Sequence, residues 1–203
     1  MATAPAIEPP TDYQYSAFVS YKRSQNFDAW TREFVRHLEF HLTQELAQPL
    51  GLFYDSESIQ TGQSLPRSIQ GGLLYSRCIV CLLSPNYFRS AWCIAEWKTF
   101  EDRQIKTSSE LIVPISLFDG KYYPQYAAEL KVEDLTDYAF VAAAFWSTER
   151  GVELEARIKQ LSKRIAHVAN SAPSFDPRWP IRSLESVQDD LLPPAFIPRP
   201  VLL

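Results

Sequence analysis

What this chain lacks narrows its function first. Its six glycines include Gly71-Gly72 but form no G-x-G-x-x-G after the first apolar run, so no dinucleotide is expected to be held as a returning redox cofactor. Neither a G-x-x-x-x-G-K-[ST] phosphate loop nor a G-x-S-x-G nucleophile elbow occurs. Charge excess is small: 20 Lys and Arg stand against 24 Asp and Glu, a net charge of −4, scattered without a basic face. That balance disfavours nucleic acid as a direct ligand and an anionic membrane as a partner. The opening Met1-Ala2-Thr3-Ala4-Pro5 has no cationic and apolar leader pattern, and no apolar run approaches the ~20 residues of a membrane span. A soluble, cytoplasmic protein is expected.

Cysteine is scarce too, with three in all. Cys78 and Cys81 have the C-x-x-C spacing of redox and zinc motifs, yet they sit inside Cys78-Ile79-Val80-Cys81-Leu82-Leu83, which reads as a buried strand. Three positions along a strand put the thiols on opposite faces, so core packing is the expected role. His37 and His41 have an i, i+4 metal-gripping spacing but no third ligand in a recognisable pattern, so no metal is expected.

What is present is an alternation of strands and helices. Ser16 to Tyr21 is a short strand, and a helix follows from about Asp28 to Leu46, with Trp30, Phe34, Leu38 and Leu42 forming one core-facing stripe. Gly51 to Tyr54 makes a second strand, and a helix around Ser68 to Tyr75 is weakened by Gly71-Gly72. The third strand, Cys78 to Leu83, is the most continuously apolar and should be central. A helix bearing Trp92 and Glu96, a strand from Leu111 to Ser116, an ill-defined region around Asp134 to Val141 and a last helix from about Glu153 to Val168 complete the set. Pro114 is expected to mark a strand end or bulge, because proline donates no ladder hydrogen bond.

This order predicts an α/β fold, a doubly wound five-stranded parallel sheet of order 2-1-3-4-5 with helices on both faces, flavodoxin-like. The ligand crevice of such a sheet lies outside the carboxyl ends of strands one and three. There the first strand delivers Tyr21-Lys22-Arg23, and the third delivers Ser84-Pro85-Asn86-Tyr87 and then Ser90 to Glu96. Trp92 and Glu96, four residues apart, would share one helical face and line one wall of a pocket. Each has a plainer alternative: Glu96 as a solvated helix carboxylate, Trp92 as a core anchor, Arg23 as a surface charge.

Five pieces in order, Ala17-Phe18-Val19-Ser20-Tyr21, Phe53-Tyr54-Asp55, Cys81 to Tyr87, Ser90 to Glu96 and Ile112-Val113-Pro114-Ile115, resemble the TIR (Toll/interleukin-1 receptor) domain family over about Tyr15 to Val168. One branch of that family acts by TIR–TIR association alone. The other, with many bacterial members, cleaves NAD+ at the nicotinamide–ribose bond through a Glu in a Trp-x-x-x-Glu pattern, which Trp92-Cys93-Ile94-Ala95-Glu96 matches. The resemblance implies an NAD+ hydrolase with Glu96 as the catalytic residue and NAD+ as a substrate, with no cofactor. It also implies an assembly-activated effector of immunity, antiphage defence or cell death. The alternatives are a non-catalytic scaffold and, less favoured, a nucleoside-sugar transferase using the same Glu.

The chemistry suits a single carboxylate. An ordinary glycoside needs a second acid to protonate its leaving group. Nicotinamide already leaves as a neutral base, so Glu96 need only stabilise positive charge developing at the anomeric carbon. Lys22 and Arg23 would neutralise the pyrophosphate, Tyr21 and Trp92 would offer flat surfaces, and Asp55 and Ser84 would hydrogen-bond at the strand ends, with Ser20 beside them.

Residues 1–13 are expected to be a disordered tail, 14–170 the TIR domain and 171–203 a proline-rich extension. The extension, with Trp179, Leu184, Leu191, Leu192 and Phe196 among its prolines, should either strap back across the domain or dock a sensor or companion protein. By position, the loop Asp55 to Pro66 resembles the one TIR domains use for self-association.

Overall fold

The computed structural model describes residues 10–24, 26–55 and 65–193. Its elements run β1 (Tyr15–Tyr21), α1 (Asp28–Glu45), β2 (Gly51–Phe53), α2 (Arg67–Tyr75), β3 (Ser76–Leu83), α3 (Ala91–Thr107), β4 (Ile112–Ser116), α4 (Gln125–Ala128), β5 (Glu133–Asp134) and α5 (Glu149–Asn170). All five strands pair in parallel in the order β2-β1-β3-β4-β5, the doubly wound sheet that the sequence predicts.

Strand alternation divides the core into two layers. Ala17, Val19, Cys78, Val80, Leu82, Val113 and Ile115 face α1 and α5, where Trp30, Phe34, Leu38 and Leu42 form the buried stripe of α1. Phe18, Ile79, Cys81, Leu83 and Ile112 face α2 and α3. Cys78 and Cys81 thus lie in opposite layers, both fully buried as free thiols.

Local contacts shape two of the helices, α2 where it was expected and α5 with an earlier start. Gly72 lets α2 lie on the Phe53 ring, since a Cβ there would sit 2.7 Å from that ring; nothing lies within 4 Å of a Cβ at Gly71. α5 starts at Glu149, a turn earlier than the apolar pattern indicates, because the Thr148 side chain accepts from Gly151 N and caps it. The ill-defined fifth strand is only the pair Glu133–Asp134.

Pro114 corrects the expectation of a strand end or bulge. It lies within β4, opposite Cys81 of β3. Leu111 O accepts from Ile79 N, and Leu117 N donates to Leu83 O, so odd-numbered residues of β4 bond to β3 and Pro114 faces the other edge. β5 pairs only with Ile115 and Ser116, so no described strand reaches the position where Pro114 lacks a donor.

Tyr13 meets the extension beside α3. Tyr13 is buried, its hydroxyl donating to Pro173 O at 3.0 Å and its ring edge-on to Phe175 at 5.3 Å, so a tail running through residue 13 is corrected there. The physical cause lies 160 residues away, in the extension. That extension runs over α3: Arg182 grips Asp102 through two contacts of 2.5 and 2.8 Å, Leu184 and Val187 are buried, and Leu192 N donates to Phe88 O at 2.8 Å. Within it, Glu185–Asp190 forms a 3-10 helix despite the surrounding prolines. Beneath it, the buried Arg103 donates to Ser76 O and Leu73 O at 3.0 and 3.2 Å, satisfying carbonyls at the end of α2.

Candidate functional site

At the carboxyl end of β1, Ser20 points into the α2–α3 layer and Tyr21 into the other, as strand alternation requires. α3 begins at Ala91, so Trp92 and Glu96 fall in its first turns, one turn apart. Glu96 is only 7% exposed, and its Oε2 accepts a 2.5 Å hydrogen bond from Ser20 Oγ. Ser20 Oγ is also 2.8 Å from the hydroxyl of Tyr87, a fully buried residue in the 3-10 turn Tyr87–Arg89 that precedes α3.

Burial pushes the Glu96 carboxyl up to about 8, because the charged form has lost its water. The Ser20 hydrogen bond and the Arg23 charge work against this, while the Asp55 charge adds to it. Cys81 and Cys93, both buried beside Glu96, are likewise pushed upward chiefly by desolvation, and so are held as neutral thiols.

A cavity of about 240 Å³ opens over Glu96, walled by Phe18, Tyr21, Lys22, Arg23, Asp55, Ile69, Ser90, Trp92 and Cys93. Arg23 turns back onto Asp55, bonding its backbone oxygen and lying 3.4 Å from its Oδ1. The Tyr21 ring stacks on Tyr54 at 5.4 Å, with its hydroxyl 3.1 Å from Asp55 O. Lys22 stands exposed at the rim. Trp92 is half-buried: it packs on the α2–α3 core and also faces the cavity.

Ser84 is not brought to Glu96. It lies one residue beyond β3, where alternation turns it to the α1–α5 side, and its Oγ accepts from Tyr87 N at 3.1 Å. There it lines a second cavity of about 440 Å³ with Phe27, Asn86, Arg89 and Phe118, which shares only Tyr21, Lys22 and Arg23 with the first. Conversely, Tyr87 and Ile69 belong to the first site or its floor without having been singled out by sequence. Tyr87 was visible only as one aromatic of the loop leaving β3.

Among the described residues no group of three or more His, Cys, Asp or Glu could hold a metal ion. His37 and His41 both turn to Glu155 Oε1, at 3.6 and 3.3 Å. No described helix is long and apolar enough to cross a membrane. Of the loop expected to mediate self-association, residues 56–64, Ile59 and Gly62 included, lie outside the described residues; Leu65 packs inward on the α2–α3 core.

The sheet order, with a buried carboxylate at its switch point, defines a doubly wound α/β domain with a ligand crevice between β1 and β3. Residues 18–169 match the family model of the TIR domain, and the chain belongs to that family. It is similar to the NAD(+) hydrolase TirS of Staphylococcus aureus, 30% identical over 94 residues that make up 44% of this chain and 34% of TirS. It is also similar to Toll-like receptor 5 of Mus musculus, 22% identical over 106 residues, 52% of this chain and 12% of the receptor. The chain thus spans about a third of the first relative's length and far less of the second's. Among solved structures, the TIR domains of the activated Roq1 resistosome directly recognizing the pathogen effector XopQ align with a TM-score of 0.37 at 20% identity, over 78% of this chain and 85% of that one.

Proposed function

We propose that this TIR domain is an NAD+ hydrolase of the bacterial Trp-x-x-x-Glu type, with Glu96 as the catalytic carboxylate. The observation that carries the reading is the buried Glu96 side chain under a cavity walled by Trp92 on one side and by Tyr21, Lys22 and Arg23 on the other. Similarity to a protein named as an NAD(+) hydrolase supports it. In this reading the C1′–N bond breaks with its electron pair leaving on nicotinamide, Glu96 stabilises the cationic sugar, and water adds to C1′ with release of a proton. NAD+ is consumed as a substrate and no cofactor takes part. A cationic nicotinamide ring entering the cavity also favours ionised Glu96, offsetting the burial that keeps it protonated in the empty site.

Trp92 and Tyr21 supply flat surfaces, Lys22 and Arg23 the charge for the pyrophosphate, and Asp55 and Ser20 hydrogen-bond partners around Glu96. Ser84 can serve only a part of the substrate that extends past Tyr21–Arg23 into the second cavity. The first cavity, about 240 Å³, is below the roughly 300–1,000 Å³ of typical ligand pockets. We therefore propose that self-association through the segment from Asp55 to Pro66 completes the site, as befits an assembly-activated cytoplasmic effector of immune or antiphage defence. The extension remains a candidate contact for a sensor or companion protein, through residues beyond those packed on α3.

The test is release of nicotinamide from NAD+ by concentrated protein, followed by chromatography beside Glu96→Ala and Glu96→Gln. Release by the parent alone, with specific activity falling on dilution, is expected. The small cavity and the raised Glu96 also suit a non-catalytic TIR scaffold, and absence of release at every concentration would favour that reading instead.

A further inference from the structure

The reading above uses Ser20 and Glu96 but leaves Tyr87 unexplained. A tyrosine hydroxyl in a fully buried position must find a partner or lose its hydration uncompensated. Here that partner is Ser20 Oγ at 2.8 Å, and Ser20 Oγ is in turn 2.5 Å from Glu96 Oε2. Ser20 has a single hydroxyl hydrogen. When it donates to the carboxylate it cannot also donate to Tyr87, so the tyrosine must be the donor in the first link. Every hydroxyl in the row Tyr87, Ser20, Glu96 then points toward the carboxylate, and each donation strengthens the next.

The backbone fixes these positions. Ser20 is held on a central strand between β2 and β3, in register with Cys81. Tyr87 is locked in its turn by Ser84 Oγ on its backbone N and by edge contacts with Phe88 and Trp97 at 5.3 and 6.4 Å. With Oε2 engaged, Oε1 is the carboxyl oxygen of Glu96 that has no hydrogen-bond partner among the described residues, and Glu96 lines the cavity.

We propose that Tyr87 is a positioning residue that acts on Glu96 only through Ser20, orienting the serine hydroxyl onto Oε2 so that the opposite oxygen is presented to the cavity. This rests on Glu96 being the working carboxylate. The titratable groups around it are Arg23 beyond β1, Asp55 beyond β2, Cys81 of β3, Tyr87 of the turn and Cys93 of its own helix, with Lys22 acting on Cys93.

The test reads the titration of Glu96 in the empty protein, by infrared spectroscopy of glutamate-labelled samples with the Glu96→Gln spectrum subtracted. It is therefore independent of whether NAD+ is cleaved. Ser20→Ala removes a hydrogen bond to a charged group and should raise the Glu96 midpoint by about one pH unit or more. Tyr87→Phe keeps the ring and loses the hydroxyl, and should raise it by about half a unit. In the Ser20→Ala background, Tyr87→Phe should add nothing. Should Ser20→Ala fail to fold, Ser20→Cys, a weaker donor of similar size, takes its place. A midpoint unmoved or lowered in Tyr87→Phe overturns the proposal, as does the same increment with and without the serine hydroxyl.

Discussion

Replacing Glu96 with Gln should change how the stability of this protein depends on pH, and the size of the change follows from the site. The carboxyl is nearly sealed from water and sits at about 8 in the folded chain, against 4.5 for an exposed glutamate. The folded protein therefore holds a proton on Glu96 that the unfolded chain releases. Between those two values the folded state binds more protons than the unfolded one, so stability falls as pH rises. The favourable contribution is complete below about 4.5, fades between 4.5 and 8, and is gone above that.

At 1.36 kcal/mol per pH unit, the loss between pH 5 and pH 9 is about 4 kcal/mol, a large part of the 5–15 kcal/mol that stabilises a typical domain. Glutamine has the same shape, can still accept from Ser20, and does not titrate. Urea denaturation of parent and Glu96→Gln at pH 5, 6, 7, 8 and 9 isolates the effect, because all other groups cancel in the difference. The variant should gain on the parent by about 4 kcal/mol across the series. A difference constant to within about 1 kcal/mol would refute the reasoning, and with it the claim that burial governs this carboxyl.

The same geometry makes further claims. Under the proposed hydrolysis, kcat/KM for NAD+ should fall as pH drops below about 8, where Glu96 of the free protein takes up its proton, while the limb in kcat lies lower because bound nicotinamide is cationic; a pH–rate series measures both. Gly72→Ala drives a methyl into the Phe53 ring, itself held against Phe18 and Tyr15, and should destabilise by about 1–3 kcal/mol. Gly71→Ala meets open space in the same helix and should stabilise by about 0.5–1 kcal/mol, so denaturation curves of the two should move in opposite directions. Arg103→Met keeps much of the packing but strands the carbonyls of Leu73 and Ser76, and should cost about 1–3 kcal/mol in thermal or urea unfolding.

Periodicity made the helices and the central strand legible, since the stripe of α1 and the apolar run of β3 record their own burial. The sheet order followed from the strand–helix alternation and the common order of five-stranded doubly wound sheets, and it located the crevice before any side chain was placed. The contact between Ser20 and Glu96 spans 76 residues of sequence and depends on how far α3 slides along the sheet, which no local pattern encodes. Ser84 lies one residue past the end of β3, where alternation turns it into the second cavity and away from Glu96. Pro114 depended on β5 being two residues long, and Tyr13 on a partner, Pro173, in the extension. What escaped the sequence is pairing at long range, while what it showed is burial at short range.

The charges around the cavity fit a site that rests uncommitted. Arg23, one of its two cations, is folded onto Asp55, and the Asp55 charge is one of the influences keeping Glu96 protonated. An anionic group that drew Arg23 away would leave the negative charge of Asp55 less compensated, which by itself would hold the proton on Glu96 more firmly. A cation arriving beside Glu96 has the opposite effect. A ligand carrying both, a pyrophosphate at Lys22 and Arg23 and a pyridinium over Glu96, balances the two where either half alone would not. Through Arg23, Asp55 beyond β2 is tied to the charge balance of the site. A contact that shifted Asp55 would change the charge acting on Glu96, and with it the proton that Glu96 holds.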